Sequence, residues 1–172
     1  MKTPVIALAV IASFALAGCA KKRPPIDAAA YAPGVSAPGL ETAGESQRDR
    51  LQSDLVARAG SDRILFELDS STLTSQARQI LTRQAAWLNQ HPGVNFVIEG
   101  HCDERGTREY NLALGDRRAR VAAEFMALQG ISPARIRTIS YGKERPEALS
   151  SDEAAYAQNR RAVSIAIEAN GQ

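Results

Sequence analysis

Apolar positions change their period along this chain, and the changes mark its elements. Arg63 to Leu68 (RILFEL) reads as a strand. From Thr74 to Gln90, Ile80, Leu81, Ala85 and Leu88 recur at helical spacing, and His91-Pro92-Gly93 breaks the run. Val94 to Glu99 (VNFVIE) is a second strand. Glu109 to Gln129 predicts a second helix, with Leu112, Ala119, Ala122, Ala123 and Met126 as core contacts and Gly130 as its stop. Arg135 to Tyr141 predicts a third strand, Asp152 to Tyr156 a short helix and Ala162 to Glu168 a last strand. The order β-α-β-α-β-(α)-β predicts one α+β domain over residues 61–170. Right-handed crossovers would pack its two main helices on one face of a mixed sheet.

Before this domain the pattern weakens. Residues 45–60 read as a short helical lead-in, with Leu51, Leu55 and Val56 on one side and Gly60 as a stop. Residues 19–44 hold Pro24, Pro25, Pro33, Pro38, Gly34, Gly39 and Gly44 among alanines, a composition unable to bury a core. A flexible stretch of this length spans roughly 25–30 Å and predicts a tether. Residues 1–18 have the layout of an export leader: Lys2, an apolar run from Val5 to Leu16, then small residues. The apolar stretch, about 16 residues, is shorter than the roughly 20 that a spanning helix needs. Leu16-Ala17-Gly18-Cys19 resembles the bacterial lipobox. The resemblance implies cleavage before Cys19 and several acyl chains on it, enough for a lasting anchor. Ala20, where an Asp would signal inner-membrane retention, implies the outer membrane, with the domain facing the periplasm. An ordinary leader that happens to hold a Cys is the alternative.

Composition narrows the function. Lys2 is the only charge in residues 1–18, so their loss takes the formal charge from +2 to +1. A near-neutral chain does not attract nucleic acid by bulk electrostatics. The sequence has two cysteines, and lipidation of Cys19 leaves Cys102 without an intramolecular partner. An unpaired Cys of this kind reads as a small buried filler, with a redox thiol as the rival reading.

The chemistry crowds between the second strand and the second helix: Glu99-Gly-His-Cys-Asp-Glu-Arg-Gly-Thr107. Asn111, Leu114 and Arg118 then follow on one helix face. Gly115 lies on that face too; a helical Gly costs about 1 kcal/mol against Ala and needs a reason, such as close approach of a ligand or a backbone. Asp103 and Arg118 at opposite ends of one pocket would suit a zwitterion. The guanidinium fork holds a carboxylate bidentately and the carboxylate accepts an ammonium. The plain alternative is a structural salt bridge between Asp103 and Arg118.

The stretch from Glu99 to Ala119, EGHCDERGTREYNLALGDRRA, resembles the OmpA-like peptidoglycan-binding domain family. So do Phe66-Glu-Leu-Asp69, Ser140-Tyr-Gly-Lys-Glu-Arg-Pro146, Asp152-Glu-Ala-Ala-Tyr156 and Asn159-Arg-Arg-Ala-Val163. The resemblance covers residues from about 60 to 168. It implies a ligand, the diaminopimelate residue of the peptidoglycan stem peptide, whose free amino and carboxyl groups form such a zwitterionic end. It carries the family's essential Asp onto Asp103 and its essential Arg onto Arg118. Arg105 and Leu114 are implied as further contacts and Leu68 and Asp69 as the rim; Asn111, on the same helix face by spacing, is expected among the ligand-binding residues. It also implies membership of the Tol system, with TolB as a competing partner on an overlapping face and a role in envelope integrity and cell division. Two departures stand out: Cys102 where Thr or Ala is common, and Ser70 where Lys is common.

Other residues read more plainly. Asn159, Arg160 and Arg161 are expected to knit the last strand to the loops. Trp87 is expected in the core or an interface rather than as a sugar platform. His101 lacks the convergent partners a metal site needs, so neither metal nor cofactor is expected. A hydrolase using Asp103 and Glu104 is the rival class. Adjacent carboxylates in a Gly-rich loop are poorly placed to flank one glycosidic bond, so no enzyme is expected. A lipoprotein of this family outside the Tol system is the third reading.

Overall fold

The computed structural model describes residues 41–169. The leader, Cys19 and most of the tether lie outside the described residues. Four helices and four strands follow in the order α1 (Glu41–Ala59), β1 (Arg63–Leu65), α2 (Ser75–Gln90), β2 (Val94–His101), α3 (Arg108–Leu128), β3 (Ile136–Gly142), α4 (Glu153–Asn159) and β4 (Arg161–Glu168). The domain is α+β, as the periodicity predicts. Side chains start the later helices: Thr74 Oγ1 accepts from Ala77 N at 3.0 Å, Thr107 Oγ1 from Tyr110 N at 3.2 Å, and Asp152 Oδ1 from Ala155 N at 2.8 Å.

The sheet is mixed, in the order β1-β4-β2-β3. β2 runs parallel to β3 and antiparallel to β4, which in turn is antiparallel to β1. The last strand therefore lies inside the sheet. Along β2, Val94, Phe96 and Ile98 are buried while Asn95, Val97 and Glu99 are partly exposed. The buried face meets α1, α2 and α3 through one core that includes Leu55, Leu81, Leu88, Ala122 and Met126. Trp87 belongs to that core, 2 % exposed, with its indole N–H on Asp54 Oδ2 at 2.7 Å.

β2 runs two residues past its expected end, to His101, and α4 three, to Asn159; α1 and β1 differ in ways that matter more. α1 begins at Glu41, four residues before the expected lead-in. β1 stops at Leu65 rather than Leu68. Phe66 N still reaches Arg160 O at 2.8 Å, but the chain then turns out of the sheet through Asp69, whose φ is 52°. The carbonyls of Glu67 and Ser70 are drawn instead to a side chain on α3. Because β1 is short, it covers β4 only over Arg161–Val163. Farther along that edge Gln52 on α1 takes its place: its amide donates to Ser164 O at 3.0 Å and accepts from Ala166 N at 3.0 Å.

Gly100 on β2 and Gly115 on α3 meet backbone to backbone. A Cβ added at Gly100 would lie 1.9 Å from Gly115 O, and one at Gly115 would lie 2.4 Å from Ser140 Oγ and 2.9 Å from Gly100 O. The helical Gly thus answers to a neighbouring strand. The close contact seats α3 against β2 and sets the position of every side chain on its next turn.

Candidate functional site

Beyond β2 the chain crosses over the start of α3 and, with the loop after β1, closes a pocket of about 220 Å³. All seven residues marked from the sequence line it: Leu68, Asp69, Asp103, Arg105, Asn111, Leu114 and Arg118. Tyr110, Cys102, Gly106 and Arg160 complete the wall.

Arg118 projects from α3 and is fully buried. Its Nε donates to Ser70 O at 2.8 Å, Nη1 to His101 O at 2.8 Å and Nη2 to Glu67 O at 3.1 Å. One guanidinium thus pins the outgoing loop to the end of β2. Three of its five N–H groups are spent on backbone carbonyls. Burial pulls the guanidinium below its usual value, opposed by the Cys102 thiol and the Asp103 carboxylate.

Asp103 is 4 % exposed and pairs elsewhere. Its Oδ2 accepts from Arg105 Nη2 at 2.6 Å and from Arg160 Nη1 at 3.4 Å, and its Oδ1 from Arg105 N at 3.1 Å. Among the described residues no ion pair joins Asp103 to Arg118, so the plain salt-bridge alternative is not what the chain forms. Burial pushes the Asp103 carboxyl up; hydrogen bonds from Arg105 and Arg160 outweigh it and hold the group below the usual carboxylate range.

The remaining residues shape the wall. Asn111 is buried and donates to Arg105 O at 2.7 Å and Thr107 O at 3.1 Å, fixing the loop that carries Asp103. Leu114 is the apolar side, and Leu68, 57 % exposed, stands at the mouth. The Tyr110 hydroxyl donates to Asp69, holding the rim loop onto α3. Cys102 is 3 % exposed and its Sγ contacts Asn111 O at 3.4 Å. Burial raises its thiol further, so at neutral pH it is a protonated filler in the pocket wall.

Arg160 is the residue that sequence reasoning assigned only to structure. Asn159 and Arg161 do knit: Asn159 Oδ1 accepts from Glu147 N at 2.8 Å, and Arg161 Nη2 donates to Arg145 O at 3.2 Å. Arg160 does both, donating Nε to Phe66 O at 3.1 Å while Nη1 faces Asp103 and Glu153. Its signal was the charge doublet Arg160-Arg161 at the start of a strand, where a buried cation needs a buried anion. A larger groove of about 730 Å³ runs between β1 and α2, but two of its charged residues, Arg63 and Glu147, pair with each other, and it gathers no convergent acid and base.

His101 points to the other side of the sheet, 2 % exposed. Its Nε2 lies 3.4 Å from Glu99 Oε2, which would make an ion pair only if the ring were charged. Burial, then Arg161 and Arg145, lower it to about 4, so the ring is neutral at pH 7. Among the described residues no three His, Cys, Asp or Glu side chains converge on one point.

The fold is that of a known family, and the sequence matches it. Residues 65–160 match the model described as the OmpA family. The chain is 48% identical over 162 residues to the peptidoglycan-associated lipoprotein of Mesorhizobium japonicum, covering 94% of this chain and 90% of that protein. It is 50% identical over 109 residues to the Pseudomonas aeruginosa protein of the same name, covering 63% of this chain and 64% of that one. The crystal structure of the peptidoglycan-associated lipoprotein from Burkholderia pseudomallei superposes with a TM-score of 0.61 at 41% identity, over 62% of this chain and 91% of that one. The C-terminal domain of Helicobacter pylori MotB shares the fold, with a TM-score of 0.58 at 20% identity over 61% of this chain and 83% of that one. This chain belongs to the OmpA family, among the peptidoglycan-associated lipoproteins.

Proposed function

We propose that this protein is a non-catalytic tether between the outer membrane and peptidoglycan. Acyl chains on Cys19 hold one end in the outer membrane, and the domain, facing the periplasm, grips the diaminopimelate residue of the stem peptide. Arg118 takes the ligand's carboxylate and Asp103 its ammonium. Leu114 and Leu68 cover the methylene chain between them, while Asp69, Asn111 and Arg105 border the site. The convergence of a buried cation, Arg118, and a buried anion, Asp103, on one pocket with no ion pair between them is the observation that carries this reading. Through the family it extends to the Tol system: TolB binds an overlapping face, and the complex supports envelope integrity and division.

The carboxylates favour binding over hydrolysis. A glycosidase acid needs a raised pKa. Asp103 is lowered by its arginines, and Glu104 is lowered by the Tyr156 hydroxyl, which donates to it at 2.8 Å. The test is co-sedimentation of the chain from Ala20 onward with purified sacculi. Binding that a diaminopimelate peptide competes away is expected, with no soluble fragments released. Failure to compete sinks the ligand, and released fragments sink the non-catalytic role. Cys19→Ser should leave the protein unanchored, globomycin should make the precursor accumulate, and pull-down with TolB should recover the complex.

A further inference from the structure

The carboxylate that would receive the ligand's ammonium is already occupied. Arg105 holds it with Nη2 on Oδ2 at 2.6 Å and Nε on Oδ1 at 3.3 Å. Arg160 is the second cation on Asp103, and the two are not equivalent. The Arg160 side chain is 7% exposed and anchored to Phe66 O and to Glu153. The Arg105 side chain is 39% exposed and sits on the short loop before α3, beside Gly106 with a φ of 87°. Arg105 also has partners outside the pocket: its Nη1 is 3.3 Å from Glu153 Oε2, and its guanidinium carbon lies 4.4 Å from the centre of the Tyr156 ring. It can leave Asp103 and keep both an ion pair and a stacking face.

We propose that Arg105 sets the specificity of the pocket as a built-in stand-in for the ligand's ammonium, displaced toward Glu153 and Tyr156 when ligand enters. This rests on the diaminopimelate reading above and concerns the same pocket. A zwitterionic end exchanges one cation for another at Asp103, so the buried carboxylate is never left uncompensated. A ligand without the amino group offers nothing in exchange and stays out. Only the difference between two ion pairs then contributes at this end, which keeps the grip reversible. A direct contact residue and a stand-in have opposite signs: removing the first weakens binding, removing the second strengthens it.

Isothermal titration of the full chain, purified in detergent, separates them. One probe is a tripeptide ending in meso-diaminopimelate; the other is the same peptide lacking the terminal amino group. Arg105→Ala should bind the first about fivefold tighter, ~1 kcal/mol. It should also take up the second, which the wild type rejects. Arg105→Gln, which keeps most of the stem over Tyr156, should change affinity in the same direction. Weaker or unchanged affinity for the first peptide in both variants overturns the proposal. In the wild type the Arg105 Nε–H resonance should shift when the first peptide is added, and a stationary resonance overturns the displacement. Absence of binding in every protein overturns the diaminopimelate reading itself, and the stand-in with it.

Discussion

The two ends of the pocket are built on opposite plans. At the Arg118 end a fully buried guanidinium is fixed by three backbone carbonyls from two separate segments. At the Asp103 end the carboxylate is fixed, but its nearest partner, Arg105, sits on a partly exposed side chain with an alternative station. The contrast teaches that only one end is preorganised. The cost of orienting the cation at the Arg118 end is met on folding; on the stand-in proposal, the Asp103 end would be completed by exchange. On the function proposed above, Arg118 would serve folding as well as binding, and Asp103 mostly binding.

The largest test of that contrast is Arg118→Ala. It strands the carbonyls of Glu67, Ser70 and His101 and should cost about 4 kcal/mol, a fall of roughly 15–20 °C in melting temperature. Arg118→Lys keeps the charge but not the planar fork, and should lose much of both stability and binding. A melting temperature unchanged in both variants would dissolve the distinction between the ends.

Next in size is Asp103→Asn, expected to weaken a diaminopimelate peptide by roughly two- to thirtyfold, the loss of a charge-assisted hydrogen bond less the cost of displacing Arg105. Its effect on stability depends on pH. The folded carboxyl lies below its unfolded value, so its pairing stabilises above the unfolded pKa and is lost as pH falls through the folded one. Asp103→Asn should therefore flatten the acid limb of a denaturant-unfolding profile. An equal loss of stability at pH 7 and pH 3 speaks against it.

His101 sharpens the comparison from the other side of the sheet, since its carbonyl receives Arg118 Nη1. With its ring at about 4 folded and near 6.5 unfolded, the unfolded chain binds the extra proton first as pH falls. Stability should drop by about 2 kcal/mol between pH 7 and pH 5. Glu99, which burial holds above its ordinary value, works in the opposite direction. His101→Phe should remove the His101 share of the drop, read from unfolding curves at both pH values, and a drop identical to wild type would assign it elsewhere. Smallest is Cys102→Thr. It should shift stability by about 1 kcal/mol and ligand affinity by no more than a few-fold. A large binding defect in a folded variant would make the thiol part of the site.

The order of elements was legible because apolar spacing reports the local period, and the pocket because its residues crowd one loop and one helix face. Arg160 was not legible as a pocket residue. It reaches Asp103 only because β4 inserts between β1 and β2, a pairing across almost a hundred residues that no local pattern encodes. The early end of β1 escaped for a related reason: Phe66 and Leu68 look like strand residues, yet Arg118 on a distant helix claims the carbonyls around them. The partners of Asp103 were hidden too, since charge in a sequence does not say which arginine will reach which acid.

The side-chain amide of Gln52 has a consequence beyond packing. Edge strands with open backbone groups invite another chain to add to the sheet. Here the stretch of β4 left bare by the short β1 spends its hydrogen bonds on a side chain, which presents no continuing backbone to extend. Lipid anchoring would confine many copies to one plane, where neighbours collide far more often than in free solution. In that crowd the Gln52 amide would close this one stretch of β4 to a neighbouring strand, while β3 stays the outer strand on the sheet's far side.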